Sequence, residues 1–116
     1  MAERIIVRSG RAKTFYFRFK VRPSKSSKNY RDVKAAYANI WALGRGLGEA
    51  RRVAMNYSTR QGWDFISLEQ DGVETTLQRC PSPEARYGFS TAQAYGSYGI
   101  FVATGISAAG GDASFN

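Results

Sequence analysis

Thr14-Phe15-Tyr16-Phe17-Arg18-Phe19-Lys20-Val21-Arg22 alternates without a break between two kinds of side chain. Phe15, Phe17, Phe19 and Val21 point one way, and Tyr16, Arg18, Lys20 and Arg22 point the other, because successive strand residues face opposite sides of a sheet. One face must be buried, and the other carries three cations and a tyrosine. This is the clearest strand in the chain, and Pro23 ends it. The segment Pro23-Ser24-Lys25-Ser26-Ser27-Lys28-Asn29 then has the composition of a basic loop. Lys25, Lys28, Arg31 and Lys34 recur there at a spacing of three, which a helix would align, but the serines favour a mobile arm.

Around that strand lies most of the charge. Residues 1–34 hold eleven Lys or Arg against two acids, a net of +9, whereas residues 35–116 hold six against seven. Nine positive units in under a third of a 116-residue chain make a local field that attracts polyanions.

Upstream, Arg4–Arg8 reads as a short strand joined to Thr14–Arg22 by a turn over Ser9–Lys13. Downstream, residues 35–43 fit either the start of a long helix or a strand. A strand is preferred, because Gly44-Arg45-Gly46-Leu47-Gly48 follows at once and each glycine would cost a helix interior about 1 kcal/mol. Tyr37, Asn39, Trp41 and Leu43 then face opposite to Ala38, Ile40 and Ala42.

A helix over residues 47–60 presents Leu47, Ala50, Val53, Ala54 and Tyr57 as its apolar stripe, with Gly62 as a left-handed cap. Trp63–Glu69 and Val73–Leu77 read as two strands joined by a hairpin turn at Asp71-Gly72. Ser82-Pro83-Glu84 is a helix start, with serine as N-cap, proline at the first position and an acid near the positive end of the dipole. Ala85, Phe89, Ala92 and Tyr95 give its buried face, and Gly96 or Gly99 its end. Ile100–Thr104 is a last, buried strand, and residues 107–116 are small and polar and expected to fray.

The resulting fold class is α+β: an N-terminal hairpin followed by a ferredoxin-like β-α-β-β-α-β order, an antiparallel sheet with two helices on one face. Residues 1–106 are expected to form one domain, with 1–34 as a basic hairpin and loop, 35–106 as a two-helix core, and 107–116 as a flexible tail. The final six elements match an order shared by many unrelated functions, so function must be argued from residues.

Several chemistries lose ground on composition. The chain has no histidine and one cysteine, Cys80, which removes the usual general base near neutral pH, the usual zinc ligands and any intrachain disulfide. Cys80 is expected to be a semi-buried thiol. Asp64, Glu69, Asp71 and Glu74 could in principle serve Mg²⁺, but Asp64 and Glu69 fall on opposite strand faces and no lysine follows Lys34. No metal or cofactor is expected, and the chain leans away from an enzyme. No stretch approaches ~20 apolar residues and no secretory leader is apparent, so no membrane partner is expected and the cytoplasm is the default compartment.

Two candidate sites remain. Arg8, Arg11, Lys13, Tyr16, Arg18, Lys20, Arg22, Lys25, Lys28 and Arg31 form a basic contact surface. With Tyr37 and Trp41 in matching register, aromatics and cations would interleave as they do on sheets that bind RNA or single-stranded DNA. The alternative is a homodimer or an acidic protein partner, met through the hairpin edge. Gly44, Arg45 and Gly46 are a weaker phosphate site at a helix start. Glu69 lies about where a dinucleotide fold places its ribose acid, but the glycine pattern departs from G-x-G-x-x-G.

Overall fold

The computed structural model describes residues 12–106. The expected strand at Arg4–Arg8, the cations Arg8 and Arg11, and the tail 107–116 lie outside the described residues. The elements are β1 (Lys13–Pro23), β2 (Val33–Gly44), α1 (Leu47–Arg60), β3 (Trp63–Thr75), a 3₁₀ turn (Leu77–Arg79), α2 (Pro83–Tyr95) and β4 (Ser97–Ile106). The four strands form one sheet in the order β3-β1-β2-β4, with every neighbouring pair antiparallel. The basic strand is thus central, with both of its edges paired.

The alternation of β1 decides how the sheet packs. Phe17, Phe19 and Val21 are fully buried, each opposite a β2 residue on the same face: Ile40, Ala38 and Ala36. Phe19 and Val21 meet alanines on the next strand while Phe17 meets Ile40, and α1 closes over them with Ala50 and Ala54. Burying a phenylalanine here contributes about 1.5–3 kcal/mol. Trp63 of β3 and Phe101 of β4 reach across the small side chains and stack, with ring centroids 5.0 Å apart.

The opposite face carries a second, smaller core. Trp41 is covered by α2 through Ala85, Phe89 and Ala92, with Tyr16, Leu43, Tyr98 and Ile100 at its margin. The two helices therefore lie on opposite faces of the sheet, not on one. The reason is that β2 is apolar on both sides at its C-terminal end: Ile40 and Ala42 face α1, while Trp41 and Leu43 need a cover of their own. Gly88 makes that cover possible, because a Cβ there would sit 2.4 Å from the Trp41 ring.

The ferredoxin-like order also gives way at β3, which is one strand where a hairpin was expected. Its thirteen residues run opposite the ten from Thr14 to Pro23, and three register shifts absorb the excess. Asp71-Gly72 is not a turn. Gly72 has no positive φ, and its backbone lies so close to β1 that a Cβ would come within 2.7 Å of the Phe17 ring. Asp71 accepts the Gly72 N–H at 2.7 Å and three contacts from the Arg51 guanidinium at 2.8, 3.0 and 3.4 Å, which fixes the irregular strand to α1. A bulged strand leaves extra residues unpaired, and polar ties of this kind accommodate them.

Helix boundaries follow local chemistry. Ser82 accepts the Ala85 N–H at 3.1 Å, and Gly96 ends α2 in the left-handed region at φ 99°. Gly62 adopts φ 92° after α1. Tyr95, expected on the buried face of α2, is 81% exposed, and the buried stripe runs through Gly88 instead. Residues 100–104, expected as a buried strand, are only partly covered, because β4 is at the margin of the described sheet and Val102 and Thr104 are exposed. Residues 24–32 form a succession of turns rather than a free arm: Ser27, Tyr30 and Val33 donate N–H groups to the carbonyls of Ser24, Ser27 and Asn29. Ser24 itself donates to Gly62, tying the basic loop to the turn before β3.

Candidate functional site

The face of the sheet opposite α1 can be laid out in cross-strand rows. Trp41, Tyr16 and Val73 occupy the first, Asn39, Arg18 and Gln70 the second, and Tyr37, Lys20 and Ser67 the third, with Arg22 opposite Asp64 beyond. On β4, Tyr98, Ile100 and Val102 continue these rows. Because α2 packs on the first row, the second and third rows extend out from under it. The face is half roofed and half open.

On the open half, the Arg18 guanidinium carbon stands 4.3 Å from the centroid of the Tyr37 ring. The quadrupole of the ring attracts a cation in that geometry. Arg18 and Arg22 are exposed and Lys20 is half-buried, so three cations repeat along β1 every second residue, roughly 7 Å apart. Tyr37 does share the face of Tyr16 and Arg18, the register on which interleaving depends. Trp41 shares it too, but at 4% exposure it is a floor and not an open platform. The exposed Lys25 and Lys28 follow Arg22 in the turns of the β1–β2 connection, and Arg31 is exposed in the same segment.

Two sequence candidates fall elsewhere. Lys13 lies on the α1 side of the sheet, 3.9 Å from Glu74. At the start of α1, the Arg45 N–H donates to Glu49 Oε1 at 2.7 Å, and the Arg45 Nε is 3.5 Å from the same oxygen. That backbone bond first, and the Arg45 side chain second, hold the Glu49 carboxyl below its ordinary range. A carboxylate thus occupies the position an anion would take, while Gly44 is packed so tightly on Ala50 that a Cβ would meet its nitrogen at 2.6 Å.

Where the roof begins there is a cleft of 510 Å³, within the ~300–1,000 Å³ usual for ligand sites. Its floor includes Tyr16, Asn39, Trp41 and Ile100, and its walls Gln70, Val73, Cys80 and Ala85. The Tyr16 hydroxyl donates to Asn39 Oδ1 at 2.6 Å, and its ring lies 5.3 Å from that of Trp41. Burial pushes the Tyr16 phenol above its ordinary range, with Arg18 partly opposing the shift. Cys80 is buried, more fully than the semi-buried thiol expected, and its thiol donates to the Thr76 carbonyl at 3.4 Å. Asn39 was legible as a residue of this face but carried no charge or ring to single it out. Gln70 was hidden by the reading of Asp71-Gly72 as a turn.

The acids do not converge. Asp71 pairs with Arg51, Glu74 with Lys13, and Glu69 accepts from the Ser67 hydroxyl at 2.8 Å. Among the described residues no group of three or more His, Cys, Asp or Glu is placed to hold a metal ion, and no helix is long and apolar enough to cross a membrane. Comparisons with protein-family models, with curated proteins and with solved structures find no match for this chain.

Proposed function

We propose that this chain is a non-enzymatic module that binds single-stranded nucleic acid, RNA or DNA, along the open half of the sheet. The observation that carries the reading is the Arg18–Tyr37 stack beside Lys20 and Arg22 on a face α2 leaves open. Aromatic faces accept bases of any sequence, and cations at strand spacing follow the phosphates. Lys25, Lys28 and Arg31 extend the positive field past the end of β1.

If four to six phosphates are neutralised, log K falls with log salt at a slope of about −3 to −4 for a single strand. Between ~50 and ~200 mM salt, affinity then drops roughly 50- to 300-fold. The test is binding of RNA, single-stranded DNA and duplex DNA across that range, beside the free oligomeric state. Reversing Arg18, Lys20 and Arg22 to glutamate should abolish binding to the single strands. A protein that ignores all three nucleic acids refutes the reading, and affinity that survives the triple reversal moves the site elsewhere.

A second reading, a homodimer or a protein partner, draws on β3. With β1 paired on both sides, Thr14–Arg22 has no edge to lend. Strand β3 lies at the margin of the described sheet with Phe65, Ile66 and Leu68 each more than 40% exposed. A concentration-dependent dimer lost on Ile66→Lys, with no nucleic-acid binding, would favour it.

A further inference from the structure

The cleft has a shape and polarity that a row of surface cations does not require. Its floor is aromatic and aliphatic, with Trp41 mostly covered by α2 yet still lining the cleft and Tyr16 half-buried beside it. Two amides stand in one cross-strand row, Asn39 on β2 and Gln70 on β3, with Arg18 between them. The Tyr16 hydroxyl occupies Asn39 Oδ1, which leaves the Asn39 amide hydrogens to donate. Gln70 Nε2 donates to the Asp71 carbonyl, which leaves Gln70 Oε1 to accept.

The occupant is indicated by what surrounds the cleft. Arg18 starts in the row of the two amides yet does not line the cleft, because its guanidinium leans over Tyr37 in the next row. It stands at the open end with Lys20 and Arg22 behind it. At the opposite end the walls include Arg79 and Glu84, whose opposite charges leave no net positive field there, unlike the line of cations at the open end. The cleft is thus uncharged on its floor, offers a donor and an acceptor, and opens onto a line of cations. A planar heterocycle with polar edges, joined to phosphates on one side only, fits that arrangement.

We infer that the cleft takes up one nucleobase of a bound single strand, turned in beneath α2 while the backbone runs out over Arg18, Lys20 and Arg22. The inference rests on the single-strand reading above and adds that one nucleotide is held by its base. Asn39 and Gln70 address the base edge, and Tyr16, Trp41 and Ile100 its face.

The test uses Trp41 as reporter. The chain has two tryptophans, so Trp63→Phe, which keeps a ring against Phe101, leaves Trp41 as the sole indole. A labelled single-stranded DNA and an abasic strand of the same length are titrated at low salt, following both label anisotropy and Trp41 emission. Both ligands should bind, the abasic one roughly tenfold or more weakly, and only the base-bearing strand should quench Trp41. Val73→Phe, which fills the cleft from an exposed position, should remove the quench and leave the salt slope unchanged. Equal Trp41 responses to both ligands, or none to either while anisotropy reports binding, overturns the inference and spares the single-strand reading. Absence of binding by both ligands overturns the two together. Should Val73→Phe not fold, the abasic comparison still decides, because it uses the unaltered cleft.

Discussion

Replacing Gly88 by alanine should destabilise the protein, although alanine is the better helix former. In an exposed helix the change would be favourable by about 1 kcal/mol. Here the new Cβ would lie 2.4, 2.5 and 2.9 Å from three atoms of the Trp41 ring. An ordinary carbon contact is about 3.5–4.0 Å, so α2 or the indole must move by roughly 1 Å. Trp41 has little room to yield, being 4% exposed and held between α2 and the Tyr16 ring. Overpacking of this severity costs about 2–3 kcal/mol, at the upper part of the usual range. Net of the helix gain, the loss is about 1–2 kcal/mol, or a fall in Tm on the order of 4–8 °C. Urea unfolding with parallel thermal scans measures it, and the midpoint should fall with the slope unchanged. A midpoint equal to or above that of the parent would refute the docking of α2 on Trp41, and with it the roof of the cleft.

Phe19→Ala should cost about 3–5 kcal/mol, since the side chain is fully buried between β2 and α1, whereas Phe65→Ala, 42% exposed against the same ring, should cost well under half as much in chemical denaturation. Asp71 is held below the ordinary carboxylate range first by its bond from Arg51 and then by the Gly72 N–H. Its folded pKa is depressed, so its contribution is present above about 3.8 and is lost as pH falls through the lower folded value. The stability difference between Asp71→Asn and the parent should therefore narrow in acid melts below that pH. Tyr16 is shifted the other way, by burial, so the folded state holds its proton more tightly and that contribution is lost as pH rises through a value above 10.0. Following phenolate absorbance, Tyr16→Phe should remove a late-titrating group; an unchanged upper limb of the curve would place Tyr16 in solvent.

The elements that depend on neighbours in sequence were legible. The alternation of residues 14–22, the glycines that stop a helix before Leu47, the Ser82-Pro83 start, the left-handed Gly62 and a glycine end for α2, at Gly96 or Gly99, all act within a few residues of themselves. So did the division of β1 into a buried phenylalanine face and a cationic one. Asp71-Gly72 misled because its local signal is that of a hairpin. Contact with Phe17 and the Arg51 ion pair, both distant in sequence, turned it into a bulge within one long strand. Trp41 misled in the opposite way, since an aromatic on a polar-facing strand looks like an open platform until a helix is known to cover it.

The sequence by itself determined that one strand carries cations on one side and phenylalanines on the other, because side-chain direction along a strand is set by backbone geometry alone. The tertiary structure decided that this strand is central, that the helices take opposite faces, and that α2 covers the first row of the cationic face, with Ile100 of the second at its margin, while Arg18 and Arg22 stay exposed. Those outcomes rest on which distant residues are the right size to meet: Gly88 against Trp41, Gly72 against Phe17, and the alanines of β2 against the phenylalanines of β1. The cleft exists only where those meetings leave space, and for that reason no stretch of the chain announces it.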